Sequence, residues 1–309
     1  MPKIATREAY GQALAELGEE IKDIVVLDAD LSKSTKTSVF AKKYPERFFN
    51  MGIAEQNLMG TAAGFATCGK IPFASTFAVF AAGRAFEQIR NSICYPNLNV
   101  KIAATHAGIT VGEDGATHQS VEDIALMRSI PHMIVINPAD AEEAKQAVRA
   151  AAMHKGPVYL RFGRHPVETI FDNNYKFEIG KGVILKEGKD VAIIATGTMV
   201  GEALKAAELL SKKGIEAMVV NISTIKPIDK EIIIKAAECG AIVTAEEHNI
   251  IGGLGSAVAE VLAEARPTPM KRIGIADEFG QSGKPEELLK LYHLTADDIA
   301  KAAEELKKG

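Results

Sequence analysis

Short β-branched runs alternate with amphipathic segments along this chain, and the alternation restarts once. IVVLDAD, RFFNMG, KIPFAS, NVKIAAT, MIVINPA and PVYLRF fill the first part; DVAIIATG, AMVVNIST, AIVTAEE and KRIGIAD follow residue 188. Strands that are apolar throughout and separated by helical patterns fit parallel sheets covered by helices on both faces. The expected fold class is therefore α/β, with two domains, each a mostly parallel sheet under helices. The polar, aperiodic stretch at 169–189 reads as a linker between a domain at 1–168 and one at 190–309. KPEELLKLYHLTADDIAKAAEELKKG reads as two short helices, the second starting at a Thr295 cap with Asp298 three residues on.

A chain of 309 residues can bury two real cores. Its net charge of −4 argues against a broad basic face for nucleic acid or anionic membrane, so any bound anion must be gripped by a few local cations. No apolar run reaches the roughly 18 residues of a membrane helix, and MPKIATREAY lacks the apolar core of a signal peptide. Cys68, Cys94 and Cys239 show neither metal nor disulfide spacing and read as reduced, packed thiols. A cytosolic protein is expected.

In parallel α/β sheets, ligands bind beyond the carboxyl ends of the strands, where loops and helix N-termini converge. Those positions hold Asp30, Ser32 and Ser34; Glu55; Phe77 and Phe80; His106, Asp114 and His118; and Arg164 with His165. Glu55 opens a helix whose next turns, LMGTAAGFA, are apolar nearly all round, and such a helix is buried. Its carboxylate either points to water in a first turn or is partly desolvated, as a proton-exchanging acid needs, and then requires a partner. THAGITVGEDGATHQSVED reads as a loop leading to a helix capped by Ser120. Its histidines and aspartate suit hydroxyl-rich ligands, or are ordinary surface groups; their spacing matches no familiar metal pattern. Arg7, Arg161 and Arg164 offer planar donor forks for phosphate or carboxylate, or are ion-paired surface charges. IIGGLGSAV and GQSGKP are incomplete phosphate-loop patterns, and no chemistry attaches to TAEEHN.

TREA at 6–9, DADLSKST at 28–35, MGIAEQN at 51–57, STFAVF at 75–80 and GEDGATHQ at 112–119 occur in this order. With these five pieces the chain resembles the C-terminal half of transketolase, in the form where the enzyme is split over two polypeptides. The resemblance spans the whole length, as a pyrimidine-binding domain followed by the transketolase C-terminal domain. It implies a thiamine-diphosphate enzyme moving two-carbon ketol units between sugar phosphates, in pentose phosphate metabolism or a related pathway. Glu55 then exchanges a proton with the cofactor's pyrimidine ring, whose exocyclic nitrogen takes the thiazolium proton. Phe77 and Phe80 pack against the pyrimidine, and Asp30 lies near the cofactor pocket. Arg7, Ser34, His106 and Arg164 hold the sugar phosphate, Asp114 recognises a substrate hydroxyl, and His118 stands beside the reacting carbons.

The family's Gly-Asp-Gly…Asn element for diphosphate and metal is absent from the sequence. The resemblance therefore implies that an N-terminal subunit supplies the Mg2+ or Ca2+ site, that no metal ligand lies in this chain, and that the chain also self-associates. The β subunit of a 2-oxo acid dehydrogenase first component and deoxyxylulose-phosphate synthase share parts of the pattern, and an inactive assembly module is a further possibility.

Overall fold

The computed structural model describes residues 3–172 and 174–308. The first sheet has seven strands, in spatial order Thr224–Lys226, Ile134–Ile136, Val158–Arg161, Lys101–Thr105, Ile71–Phe77, Ile24–Asp28 and Phe48–Asn50. All neighbours run parallel except Thr224–Lys226, which is antiparallel to Ile134–Ile136. The second sheet has five strands, in the order Met270–Ile275, Ile242–Asn249, Val191–Ala195, Ala217–Asn221 and Val183–Lys186, the last antiparallel to its neighbour. Lys3–Ile4 and Val167–Glu168 form a small antiparallel ribbon.

Period-two geometry explains the uniformly apolar strands. Val25 and Leu27 enter one core and Ile24 and Val26 another, on opposite faces of the first sheet. Ile193 and Ile194 divide in the same way in the second sheet. The predicted α/β class, with mostly parallel sheets under helices, is what forms. The Thr295 cap forms too: its N–H and hydroxyl both donate to Asp298 Oδ2, at 3.1 and 2.5 Å, before the helix Ala296–Lys308.

Three local expectations differ. Val183–Lys186, inside the stretch read as linker, is an edge strand of the second sheet; its four residues are only half-buried, so they lack the apolar mark of a central strand. Thr224–Lys226 comes from the second series yet covers the edge of the first sheet, protecting otherwise open ladder groups. The helix expected at Ser120 begins at Asp123, because Asp123 is drawn inward by Arg161 at 2.8 Å. Ser120 caps nothing; its buried hydroxyl has no partner among the described residues.

Candidate active site

The rim of the first sheet is built by the residues that end its strands. At the end of Ile24–Asp28, the buried Asp28 carboxylate accepts bonds from the Leu31 N–H (2.6 Å) and the hydroxyls of Thr35 (2.6 Å) and Thr37 (2.8 Å). Burial raises its pKa, and these donors counter the shift. The grip folds the DADLSKST loop so that the Ser34 carbonyl accepts from Arg7 Nη1 at 3.0 Å. Ser34 thus joins the rim through its backbone.

His106 follows the central strand Lys101–Thr105 in a left-handed conformation, φ 55°. For a non-glycine residue that is a strained position of the kind that clusters at functional sites. Its Nε2 accepts from Arg7 Nη1 at 2.9 Å, which leaves Nδ1 to carry the proton toward Thr105 Oγ1 at 2.9 Å. Burial first, and then the charges of Arg7 and Arg164, push the His106 pKa down to about 3. The imidazole is therefore neutral at physiological pH. Arg7 is likewise lowered from its ordinary value, by burial and by Arg164. Two crowded guanidinium groups beside an uncharged ring favour an incoming anion. Arg164 is partly balanced by Asp114 at 3.4 Å and Glu113 at 3.9 Å, and it donates to the Val111 carbonyl. A cleft of about 360 Å3 opens beside Arg7, Glu113, Arg164 and His165.

The His106 ring stacks on Phe77 (centroids 3.8 Å apart, planes 23°). Phe77 lies nearly parallel to Phe80 at 6.0 Å, and His118 meets the Phe80 ring edge-on at 5.5 Å. His118 Nδ1 bonds the Thr117 hydroxyl at 2.9 Å.

Glu55 begins the helix Glu55–Thr67 and is 1% exposed. Of the two readings open to it, the first-turn carboxylate pointing to water is excluded. Its partner is Arg84, whose Nη1 donates to Oε2 at 2.8 Å. Arg84 ends a π-helical turn, Phe80–Arg84, in which the Ala85 N–H reaches back to the Phe80 carbonyl at 3.3 Å. The guanidinium carbon lies 4.5 Å from the Phe80 ring centroid. The helix itself is not buried all round. Leu58, Met59, Ala62 and Ala63 face the core, whereas Gln56, Gly60 and Gly64 are exposed and a Cβ on either glycine would meet nothing within 4 Å.

Nine of the ten expected site residues therefore gather on one rim: Glu55 and Phe80, bridged by Arg84; Phe77, His118, His106, Arg7 and Ser34; and Arg164 with Asp114 across the cleft from Arg7. Asp30 stands apart, exposed at φ 63° with its carboxylate held by Asn50 Nδ2 at 2.8 Å. Arg161 leaves the anion-binding set: it is buried, paired with Asp123, and donates to the Glu247 carbonyl at 3.0 Å. Three contributors escaped the sequence reading, namely Asp28, Arg84 and Glu247. Glu247 accepts from the Thr110 N–H at 2.7 Å, and a Cβ on Gly108 (φ +79°) would fall 2.2 Å from its Oε1, so TAEEHN supplies the floor of the loop carrying Asp114. An arginine inside the otherwise apolar VFAAGRAF was a usable signal for Arg84.

Comparison with known proteins places this chain in a family. Residues 2–168 match the transketolase pyrimidine-binding domain and residues 180–299 the transketolase C-terminal domain. A Methanocaldococcus jannaschii chain named as a transketolase C-terminal section is 58% identical, over 98% of this chain and 96% of that one. Human transketolase is 40% identical over 97% of this chain, which spans 48% of that protein. The solved structure of a split-gene transketolase, described as an inactive β4 tetramer, superposes with a TM-score of 0.93 at 61% identity, covering 99% of both chains. A chain that matches both domains along nearly its whole length belongs to the transketolase family.

Proposed function

We propose that this chain is the catalytic-glutamate subunit of a split, thiamine-diphosphate-dependent transketolase that moves a two-carbon ketol unit between sugar phosphates. The observation that carries the reading is the run from the buried Glu55 across Arg84 to Phe80, and on through Phe77 and His106 to Arg7. It joins a proton-exchanging carboxylate to an anion site across a flat aromatic surface.

The side chains fit one end of the cofactor. Glu55 Oε2 offers a buried acceptor suited to a protonated ring nitrogen, and Phe77 with Phe80 offers ring faces for a planar heterocycle. When bound, the cofactor supplies an electron sink for cleaving a carbon–carbon bond next to a carbonyl. Arg7 and Arg164 hold the substrate phosphate, neutral His106 aims the Arg7 guanidinium through its Nε2 acceptor, and Asp114 orients a sugar hydroxyl. His118, against Phe80, positions the ketol hydroxyl or moves its proton. The diphosphate and its Mg2+ or Ca2+ fall to an N-terminal subunit, since the sequence has no Gly-Asp-Gly…Asn element. The open Gly60–Gly64 face beside Glu55 supports a second chain packing there.

The test is reconstitution. The chain alone should show no ketol transfer, and adding an N-terminal subunit should restore it. In the reconstituted enzyme Glu55→Gln should slow exchange of the cofactor's thiazolium proton by about 10²-fold or more, while circular dichroism stays native. Full turnover without a partner, or unaltered exchange in the variant, would sink the reading.

A further inference from the structure

The Glu55–Arg84 pair stands where the proposed function needs an available carboxylate, and none of the roles given above explains it. Arg84 makes two contacts with different requirements. Glu55 Oε2 asks for an N–H donor, which Nη1 supplies at 2.8 Å. The Phe80 ring face asks for a flat, delocalised cation, which the guanidinium supplies at 4.5 Å. A planar heterocycle protonated on a ring nitrogen satisfies both requirements in the same way.

We propose that Arg84 is a resident stand-in for the cofactor's aminopyrimidine: it occupies the carboxylate and the ring face until cofactor binding displaces it toward solvent. The proposal rests on the reading in which Glu55 serves the aminopyrimidine. Exposure favours displacement over a fixed tie. The Glu55 side chain is 1% exposed and sits in its helix, whereas that of Arg84 is 48% exposed and already borders solvent. The stand-in has a physical purpose, because a buried carboxylate without a partner is destabilising or takes up a proton. Its consequence is competition. The apparent cofactor dissociation constant rises as the inverse of the open fraction.

The experiment titrates thiamine diphosphate with Mg2+ calorimetrically into the assembled two-subunit enzyme, using wild type, Arg84→Ala, Arg84→Lys, Glu55→Gln and the Arg84→Ala/Glu55→Gln double variant. Arg84→Ala should tighten the dissociation constant by about tenfold, and Arg84→Lys, which keeps the charge without the plane, by less. The gain should vanish in the Glu55→Gln background, where no carboxylate remains to compete for. A second readout needs no variant: phenylglyoxal labelling followed by mass spectrometry should show Arg84 more reactive after cofactor is added. Unchanged or weaker binding in a natively folded Arg84→Ala enzyme would overturn the proposal, as would protection of Arg84 by cofactor, and either leaves the Glu55 assignment standing. Should Glu55→Gln exchange the cofactor's thiazolium proton as fast as wild type does, the parent reading falls and this one with it.

Discussion

His106 concentrates the electrostatics of the rim in one residue. Its imidazole is buried, takes a bond from Arg7 and is surrounded by further cations, so it stays neutral down to about pH 3. An unfolded chain would protonate the same ring near its ordinary 6.5. Below that value the unfolded state binds the extra proton and the folded state does not, so stability is full above about pH 6.5 and is lost as pH falls toward 3. His106→Gln keeps an acceptor for Arg7 and removes the titration. Between pH 6 and 4 its unfolding free energy should fall less steeply than wild type by up to about 1.4 kcal/mol per pH unit, read from urea melts at one protein concentration. An identical slope would show that the ring is accessible to protons in the native state. His248, lowered to about 4 by burial, supplies a residual slope in both proteins. The rim residues were legible because chemistry-bearing types stand where parallel strands end. Asp28 was hidden although it too closes a strand, because its buried carboxylate holds its own loop rather than facing a ligand. Glu247 reaches a partner 137 residues away, a pairing that local pattern cannot reveal.

At the scale of elements, sequence periodicity read the strands well and misjudged one helix. LMGTAAGFA is apolar nearly all round, which composition equates with burial, yet only one side of Glu55–Thr67 meets its own sheet. An apolar face covered by the same chain and one left for another chain look alike in sequence. Gly60 and Gly64 distinguish them, because small residues four apart let another backbone approach closely and fill no core of their own. Gly60→Leu and Gly64→Leu should therefore leave the free chain folded, with stability equal or raised by up to about 1 kcal/mol from helix propensity. Association should be weakened strongly, as measured by sedimentation velocity with and without the N-terminal subunit. Normal association of both variants would place the contact elsewhere. The second misjudgement has the same root. Val183–Lys186 is a half-buried edge strand, so its residues carry too little apolar signal to stand out from the polar stretch around them.

For the whole molecule, the boundary between the two units is crossed at many points. Thr224–Lys226 completes the first sheet, Arg128 pairs with Glu260, and Gln119 donates to the Gln281 carbonyl at 2.9 Å. The Asn249 N–H donates to Val121 across the same boundary at 2.7 Å. The covalent connection near Lys181 is therefore one tie among several, and cutting it should not part the halves. Trypsin nicking after Lys181 is expected to give two fragments on a denaturing gel and a single peak on native gel filtration, and fragments eluting separately would disprove that. A chain so joined resists being traded piecemeal. A hybrid carrying the front of one relative and the back of another would have to preserve the borrowed edge strand and the glutamate beneath Gly108, or the loop above it would lose its footing.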